Sequence, residues 1–212
     1  MNTESKVLIA IAAVITVAAS ALLIVNGTKD TEDDKPVADA GKLVRSDSIQ
    51  TSPKAKVTLV EFGDLQCPAC AAAQSTVQQV KKQFGNKVNV VWRHFPLAIH
   101  QNAQAAANAS EVAHADGKFF EFADILFKSQ GAWSEVANAN ATQLFAQYGS
   151  RLGISGDVIE QAVKDQQYQT KIKKDLADGE ALGVNSTPTF FLNGKQIETS
   201  QLLEAVRSAV GK

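Results

Sequence analysis

The chain has 212 residues, 45% of them apolar and 20% charged, which suits a folded globular protein of one good-sized domain with some sequence to spare. Its formal net charge is −1. There is no long basic block, so composition gives no reason to expect binding to nucleic acid.

The spare sequence comes first. Val7 to Val25 (VLIAIAAVITVAASALLIV) is nineteen residues without a charge. As a helix it is long enough to cross a hydrocarbon core of about 30 Å. It has no polar face, which argues against a buried core helix. Lys6 precedes it and a mostly acidic stretch follows (TKDTEDDK), favouring a cytoplasmic N-terminus. A cleaved signal peptide is the rival, because Ala19-Ser20-Ala21 has the small residues of a cleavage site. Leu22 to Val25, however, carry the apolar run past that point. Both readings take the rest of the chain out of the cytoplasm. The expectation is a single-pass cell-membrane protein with an extracytoplasmic domain; after cleavage it would be secreted or periplasmic. Residues 1–25 therefore read as anchor or signal, and residues 26–47, polar and acidic with Pro36, as a flexible linker. Residues 48–212 read as the folded domain.

Within the domain, Val57 to Phe62 (VTLVEF) is a short β-branched run that predicts a buried strand. Pro68 to Phe84 turns helical, with Ala71, Val77, Val80 and Phe84 at inward spacing and Gly85-Asn86 closing it. Val88 to Trp92 (VNVVW) predicts a second strand. Strand, helix and strand within about forty residues make a βαβ unit with parallel pairing. A long helical stretch follows: Asn102 to Ala115, Lys118 to Lys128, Thr142 to Leu152, and Asp157 to about Leu182. Strand character returns at Thr189 to Leu192, Asn193-Gly194 signals a hairpin, and Lys195 to Glu198 is the return strand. Ser200 to Val210 closes as an amphipathic helix on Leu202, Leu203, Val206 and Val210. The fold class is α/β. Without the helical block at about 100–183, the order βαβ then ββα is that of a thioredoxin fold.

The chain has two cysteines, Cys67 and Cys70, in the stretch EFGDLQCPACAAAQ. A structural disulfide three residues apart would close a tiny loop and constrain the unfolded chain little. A zinc site needs about four ligands, and His94, His100 and His114 supply no second pair at finger-like spacing. No metal is therefore expected. A redox pair fits an exported chain with a strand immediately before a helix. Pro68 takes the first helical position, where its missing N–H costs nothing. Cys67 and Cys70 then lie one turn apart on one face. Free N–H groups and the helix dipole at that end stabilise a thiolate on Cys67. Cys70, one turn in, is expected to be buried and less acidic, and to resolve the mixed disulfide. No cofactor beyond the Cys67–Cys70 disulfide is required.

Glu61 is the next oddity, a carboxylate on the strand face that carries Val57 and Leu59. It is either a solvent-facing residue near a strand end or a buried acid beneath the pair that relays the proton of Cys70. Thr187-Pro188 stands just before an apolar strand. Only about 5% of X–Pro bonds are cis, so sequence alone favours trans. A cis bond here would leave the Thr187 backbone open to pair with an extended peptide. Arg93 and His94 end the second strand and read as structural or solvated, as do His100 and His114.

Four stretches together resemble the DsbA-type, BdbD-like thiol:disulfide oxidoreductases: KVTLVEFGDLQCPAC, WRHFPL, GKFFEFADILFKSQ and STPTFFLNGK. They occur in the family's order and span most of residues 50–212. CPxC alone is moderately specific; with a distant TPTFF it is strongly so. The resemblance implies a thioredoxin fold with a helical insertion. It puts Cys67 in the nucleophile position and Cys70 in the resolving position, makes Glu61 the buried acid, and makes Pro188 cis with Thr187 facing the site. Pro68, Ala69, Thr187 and Pro188 would then meet the substrate. It implies that reduced or unfolded exported proteins are the substrates and that a membrane disulfide oxidase restores the disulfide. One departure matters: the best-known oxidants of the family carry CPHC, and here Ala69 takes the histidine's place. Without that charge Cys67 should be less acidic and the protein a milder oxidant. The alternatives are a reductase or isomerase with the same site, or a non-redox peptide-binding or chaperone-like module.

Overall fold

The computed structural model describes residues 39–211. The expected membrane anchor at 1–25 and most of the expected linker lie outside the described residues. Among the described residues no helix is long and apolar enough to cross a membrane.

Five strands form one sheet in the order β1-β3-β2-β4-β5. They are β1 (Ile49–Gln50), β2 (Val57–Gly63), β3 (Val88–His94), β4 (Thr189–Leu192) and β5 (Lys195–Ile197). β2 and β3 run parallel in register Val57↔Val88 to Gly63↔His94, and every other pairing is antiparallel. The crossover between them is the helix Pro68–Phe84. β2 is central and buried on both faces. Val57 and Leu59 join Val77, Val80, Phe190, Leu202 and Val206 on one side. Val60 and Phe62 join Val91, Phe95, Val184 and Phe191 on the other. This is why VTLVEF reads as a near-continuous apolar run rather than an alternating one.

The closing hairpin forms where Asn193-Gly194 predicts it. Both residues have positive φ, 48° and 88°, as the favoured two-residue turn requires. β2 and β3 extend slightly past the expected ends, to Gly63 and His94. Gly63 is required there, since a Cβ would come within 2.3 Å of the Trp92 indole.

The insertion is helical, as expected, but its segmentation differs. The helices are Ala103–Ala115, Phe119–Lys128, Gln130–Trp133, Asn138–Arg151, Gly156–Lys164 and Gln169–Ala181. The helical stretch expected from Asp157 to about Leu182 is two helices. The chain breaks at Gln166, with φ 50°, and the Tyr168 N–H donates to the side-chain oxygen of buried Asn108. The insertion has its own core of Phe122, Leu126, Trp133, Phe145 and Ile159.

The expected linker also ends earlier than residue 47. Ala40–Leu43 is a short helix, Leu43 is buried, and Arg45 pairs with Asp175 and Asp178 at 2.9 and 2.6 Å. Ile49 and Gln50 then pair with Trp92 and Val91. Two paired residues are too short a strand to show in sequence.

Candidate active site

The redox pair lies where β2 hands over to the crossover helix. Cys67 is the residue that caps this helix, with φ −70° and ψ 123°, and Pro68 opens it. That backbone leaves the first N–H groups of the helix without intrahelical partners at the end that carries Cys67. Cys70 is fully buried, and Cys67 is 6% exposed. Both thiols are free. Pro68 and Ala69, between them, are exposed.

The two thiols are electrostatically unlike. Cys67 is lowered from 9.0 to about 5. The largest cause is the hydrogen bond from Cys70. Burial opposes it, and the N–H groups of Cys70 and Ala69 add to the lowering. Cys70 is pushed well above the usual thiol value, first by burial and then by its bond to Cys67. Against these, the Asp64 N–H, 3.5 Å from the Cys70 sulfur, favours its thiolate.

Glu61 lies in β2, 3% exposed. Its carboxyl is raised from 4.5 to about 8, chiefly by burial and secondarily by the charge on Cys67. It is therefore mostly protonated at neutral pH and able to exchange a proton near the pair. Across the sheet, the Thr187–Pro188 bond is cis. The Cys67 thiol donates to the Thr187 carbonyl at 3.4 Å. The Thr187 hydroxyl is buried and has no hydrogen-bond partner among the described residues.

Arg93 and His94 do not join this group. The Arg93 guanidinium, fully buried, bonds Asp175 and Asp178 at 2.7 Å each and the carbonyls of Lys42 and Leu43. His94 accepts from the Trp92 indole N–H at Nδ1, 3.1 Å away, so Nε2 carries its proton and donates to Glu111. Glu111 also bonds Lys171. Burial alone would raise Glu111, but these partners hold it below the usual carboxylate range. His114 takes no part, and burial lowers it.

His100 is closer to the action than the sequence suggests. Its Nδ1 lies 2.7 Å from the Asp64 carboxylate, which also accepts from the N–H groups of Gln66 and Leu97 at 2.7 and 2.9 Å. Asp64 thereby ties the turn before Cys67 to the loop after β3. Gln66 and Gln130 are two further residues at this turn that sequence reasoning missed, although Gln130 ends the stretch GKFFEFADILFKSQ. Among the described residues, no group of three or more His, Cys, Asp and Glu side chains is placed to hold a metal.

Comparison with known proteins gives consistent results. Residues 45–212 match the family described as thioredoxin. The chain is 37% identical over 155 residues to a Na(+)/H(+) antiporter NhaA 1 of Mycobacterium sp. strain KMS, covering 71% of this chain and 24% of that protein. The chain thus spans about a quarter of the length of that curated relative. Among solved structures, oxidised BdbD from Bacillus subtilis aligns with a TM-score of 0.69 at 20% identity, covering 84% of this chain and 97% of that one. A thioredoxin-like oxidoreductase from Silicibacter pomeroyi DSS-3 aligns at 0.66 and 25% identity, covering 82% and 99%.

Proposed function

The chain belongs to the thioredoxin family, and from that premise we propose that it is a membrane-tethered, extracytoplasmic thiol:disulfide oxidoreductase that donates disulfides to exported proteins. The observation that carries this reading is the contrast between the two sulfurs. Cys67 is stabilised as a thiolate near pH 5 and Cys70 is not. A stabilised thiolate favours the reduced pair, which makes the disulfide form an oxidant.

The exchange balances as follows. A substrate thiolate attacks the Cys67 sulfur of the Cys67–Cys70 disulfide. A substrate–Cys67 disulfide forms, the Cys67–Cys70 bond breaks, and Cys70 leaves as a thiolate that takes a proton, with Glu61 as the nearby acid. A second substrate thiolate then attacks the substrate sulfur of the mixed disulfide, and Cys67 leaves as the stable thiolate. The substrate loses two electrons and the pair gains them. The Thr187 carbonyl and the exposed Pro68 and Ala69 line the approach of an extended substrate segment. Val7 to Val25 would hold the domain at the membrane, and an integral-membrane disulfide oxidase would re-oxidise the pair. The disulfide itself is the electron carrier in this scheme.

The deciding experiment is the reduction potential of the Cys67–Cys70 pair against glutathione. A value toward the ~−120 mV of a strong donor supports the proposal, and one near the ~−270 mV of thioredoxin replaces it with a reductase.

A further inference from the structure

The turn that carries Cys67 is not held by the sheet and the crossover helix alone. Gln130 is the first residue of the short helix Gln130–Trp133 in the insertion. Its side-chain amide donates to the carbonyl of Leu65 at 2.9 Å and to the carbonyl of Cys67 at 3.1 Å. These are the two carbonyls on either side of Gln66. Gln66 itself is 4% exposed and reaches the opposite way. Its amide nitrogen donates to the Ser134 carbonyl at 2.8 Å, and its oxygen accepts from the Asn102 N–H at 2.7 Å. The two glutamines therefore cross-link the active-site turn and one turn of the insertion in both directions.

The insertion side of this link is rigidly rooted. Ser134 donates from both its N–H and its hydroxyl to the Gln130 carbonyl, at 2.9 and 2.7 Å. Trp133, between them, is fully buried, donates its indole N–H to the Leu126 carbonyl at 2.9 Å and meets Phe145 edge-on at 5.0 Å. On the active-site side the Gln66 N–H bonds the Asp64 carboxylate, the Cys67 N–H bonds the Asp64 carbonyl, and the Cys67 carbonyl also receives the Ala71 N–H; none of these reaches the Leu65 carbonyl.

We propose that Gln130 is a positioning residue for disulfide exchange, and that with Gln66 it makes the helical insertion a brace that fixes the backbone of the Cys67 turn. The inference rests on the exchange reading for its consequence, though not for its geometry. The physical reason is directional. The N–H groups of Ala69 and Cys70 stabilise the Cys67 sulfur because Cys67 stands just outside the helix with ψ 123°. Removing the Gln130 donor leaves the part-buried Leu65 carbonyl without that partner and the Cys67 carbonyl with the Ala71 N–H alone. The turn then relaxes toward water, and the sulfur swings away from those N–H groups.

The test uses the full reduced chain and follows alkylation of Cys67 against pH by mass spectrometry. Gln130→Leu removes the amide donor and leaves an apolar side chain one atom shorter. Ile159→Val trims the insertion core, where Ile159 is fully buried, without touching the turn. The expected result is a Gln130→Leu profile displaced to higher pH, with the rate at acidic pH lowered by roughly threefold or more, and an unmoved profile in Ile159→Val. Gln66→Leu should displace it in the same direction, and the double variant should fall short of the sum of the two shifts. Gln130→Met repeats the measurement if the leucine variant does not fold. An unmoved profile in the Gln130 variants overturns the proposal, as does an equal shift in Ile159→Val at matched loss of thermal stability. Wild-type chain that fails to catalyse exchange would overturn the function and leave this pH profile still readable.

Discussion

The Cys67 sulfur lies 3.4 Å from the carbonyl oxygen of Thr187, 120 residues away in sequence. This contact joins the start of the crossover helix to the segment entering β4. It places the reactive sulfur beside a backbone carbonyl that an extended peptide can approach. It also leaves Cys67 at the rim while Cys70 is closed off beneath it.

Alkylation should therefore separate the two thiols. In the reduced protein Cys67 reacts with iodoacetamide with a midpoint near pH 5, and Cys70 stays unmodified until the protein unfolds. Peptide mapping after pulse labelling reads this directly. Equal labelling of both cysteines at pH 6 would contradict the stabilisation by the helix N–H groups and by Cys70.

Glu61 gives a pH dependence of the opposite sign. Its carboxyl is raised from 4.5 to about 8 in the folded protein, so between these values the native state holds a proton that the unfolded state has lost. Its contribution is present in full below pH 4.5 and is lost as pH rises through 8, at up to about 1.4 kcal/mol per pH unit. Glu61→Gln cannot ionise. Urea unfolding should show its advantage over wild type growing from pH 5 to pH 8, while its disulfide exchange slows by roughly tenfold or more as the proton relay is lost. A variant with unchanged rate and a parallel pH curve would make Glu61 a spectator.

Much of this site is legible in the sequence, and the part that is not has a common cause. The Cys67–Cys70 spacing, Pro68 and the Asn193-Gly194 turn act through local geometry, and the chain shows them directly. Glu61 is visible because a charge interrupts an apolar strand. Asp64, Gln66 and Gln130 are ordinary polar residues whose meaning lies in partners brought near by folding; Gln130 acts on a turn 63 to 65 residues away. The break at Gln166 is hidden for the same reason, because the Asn108 side chain that supports it belongs to another helix. Arg93 reads from sequence as a strand-end charge, and only the fold reveals it as the buried centre of an ion-pair network.

That network predicts a stability defect separate from the chemistry. Asp175 is fully buried and bonds Arg93 at 2.7 Å, Arg45 at 2.9 Å and the His94 N–H at 3.1 Å. Asp175→Ala strands the buried Arg93 charge with Asp178 as its remaining carboxylate. Breaking a buried pair from one side typically costs about 3–5 kcal/mol. Chemical denaturation should show a loss of that order, with the Cys67 alkylation midpoint unchanged in the protein that remains folded. A shifted midpoint would mean that the network reaches the thiols.

The proposed membrane tether is tested apart from the domain. With Val7 to Val25 as an uncleaved anchor, the protein stays in the membrane pellet after high-salt and carbonate washes and is released by detergent. Recovery of a soluble protein whose first residue follows Ala21 would favour signal cleavage instead.

Thr187 carries the last prediction. Its hydroxyl is buried with no hydrogen-bond partner among the described residues, and a buried, unpaired polar group costs about 1–3 kcal/mol. Thr187→Val keeps the β-branched shape and removes that group. In the free protein the variant should be more stable by about 1 kcal/mol, read as a higher denaturant midpoint with an unchanged slope. A hydroxyl retained at such a cost beside the reactive sulfur has its use when substrate is bound, where a peptide group supplies the missing partner. Turnover with a reduced peptide should then fall in Thr187→Val, mainly through a higher KM. Gained stability with unaltered KM would leave the hydroxyl without a role in binding. Lost stability would show that it already has a partner in the free protein.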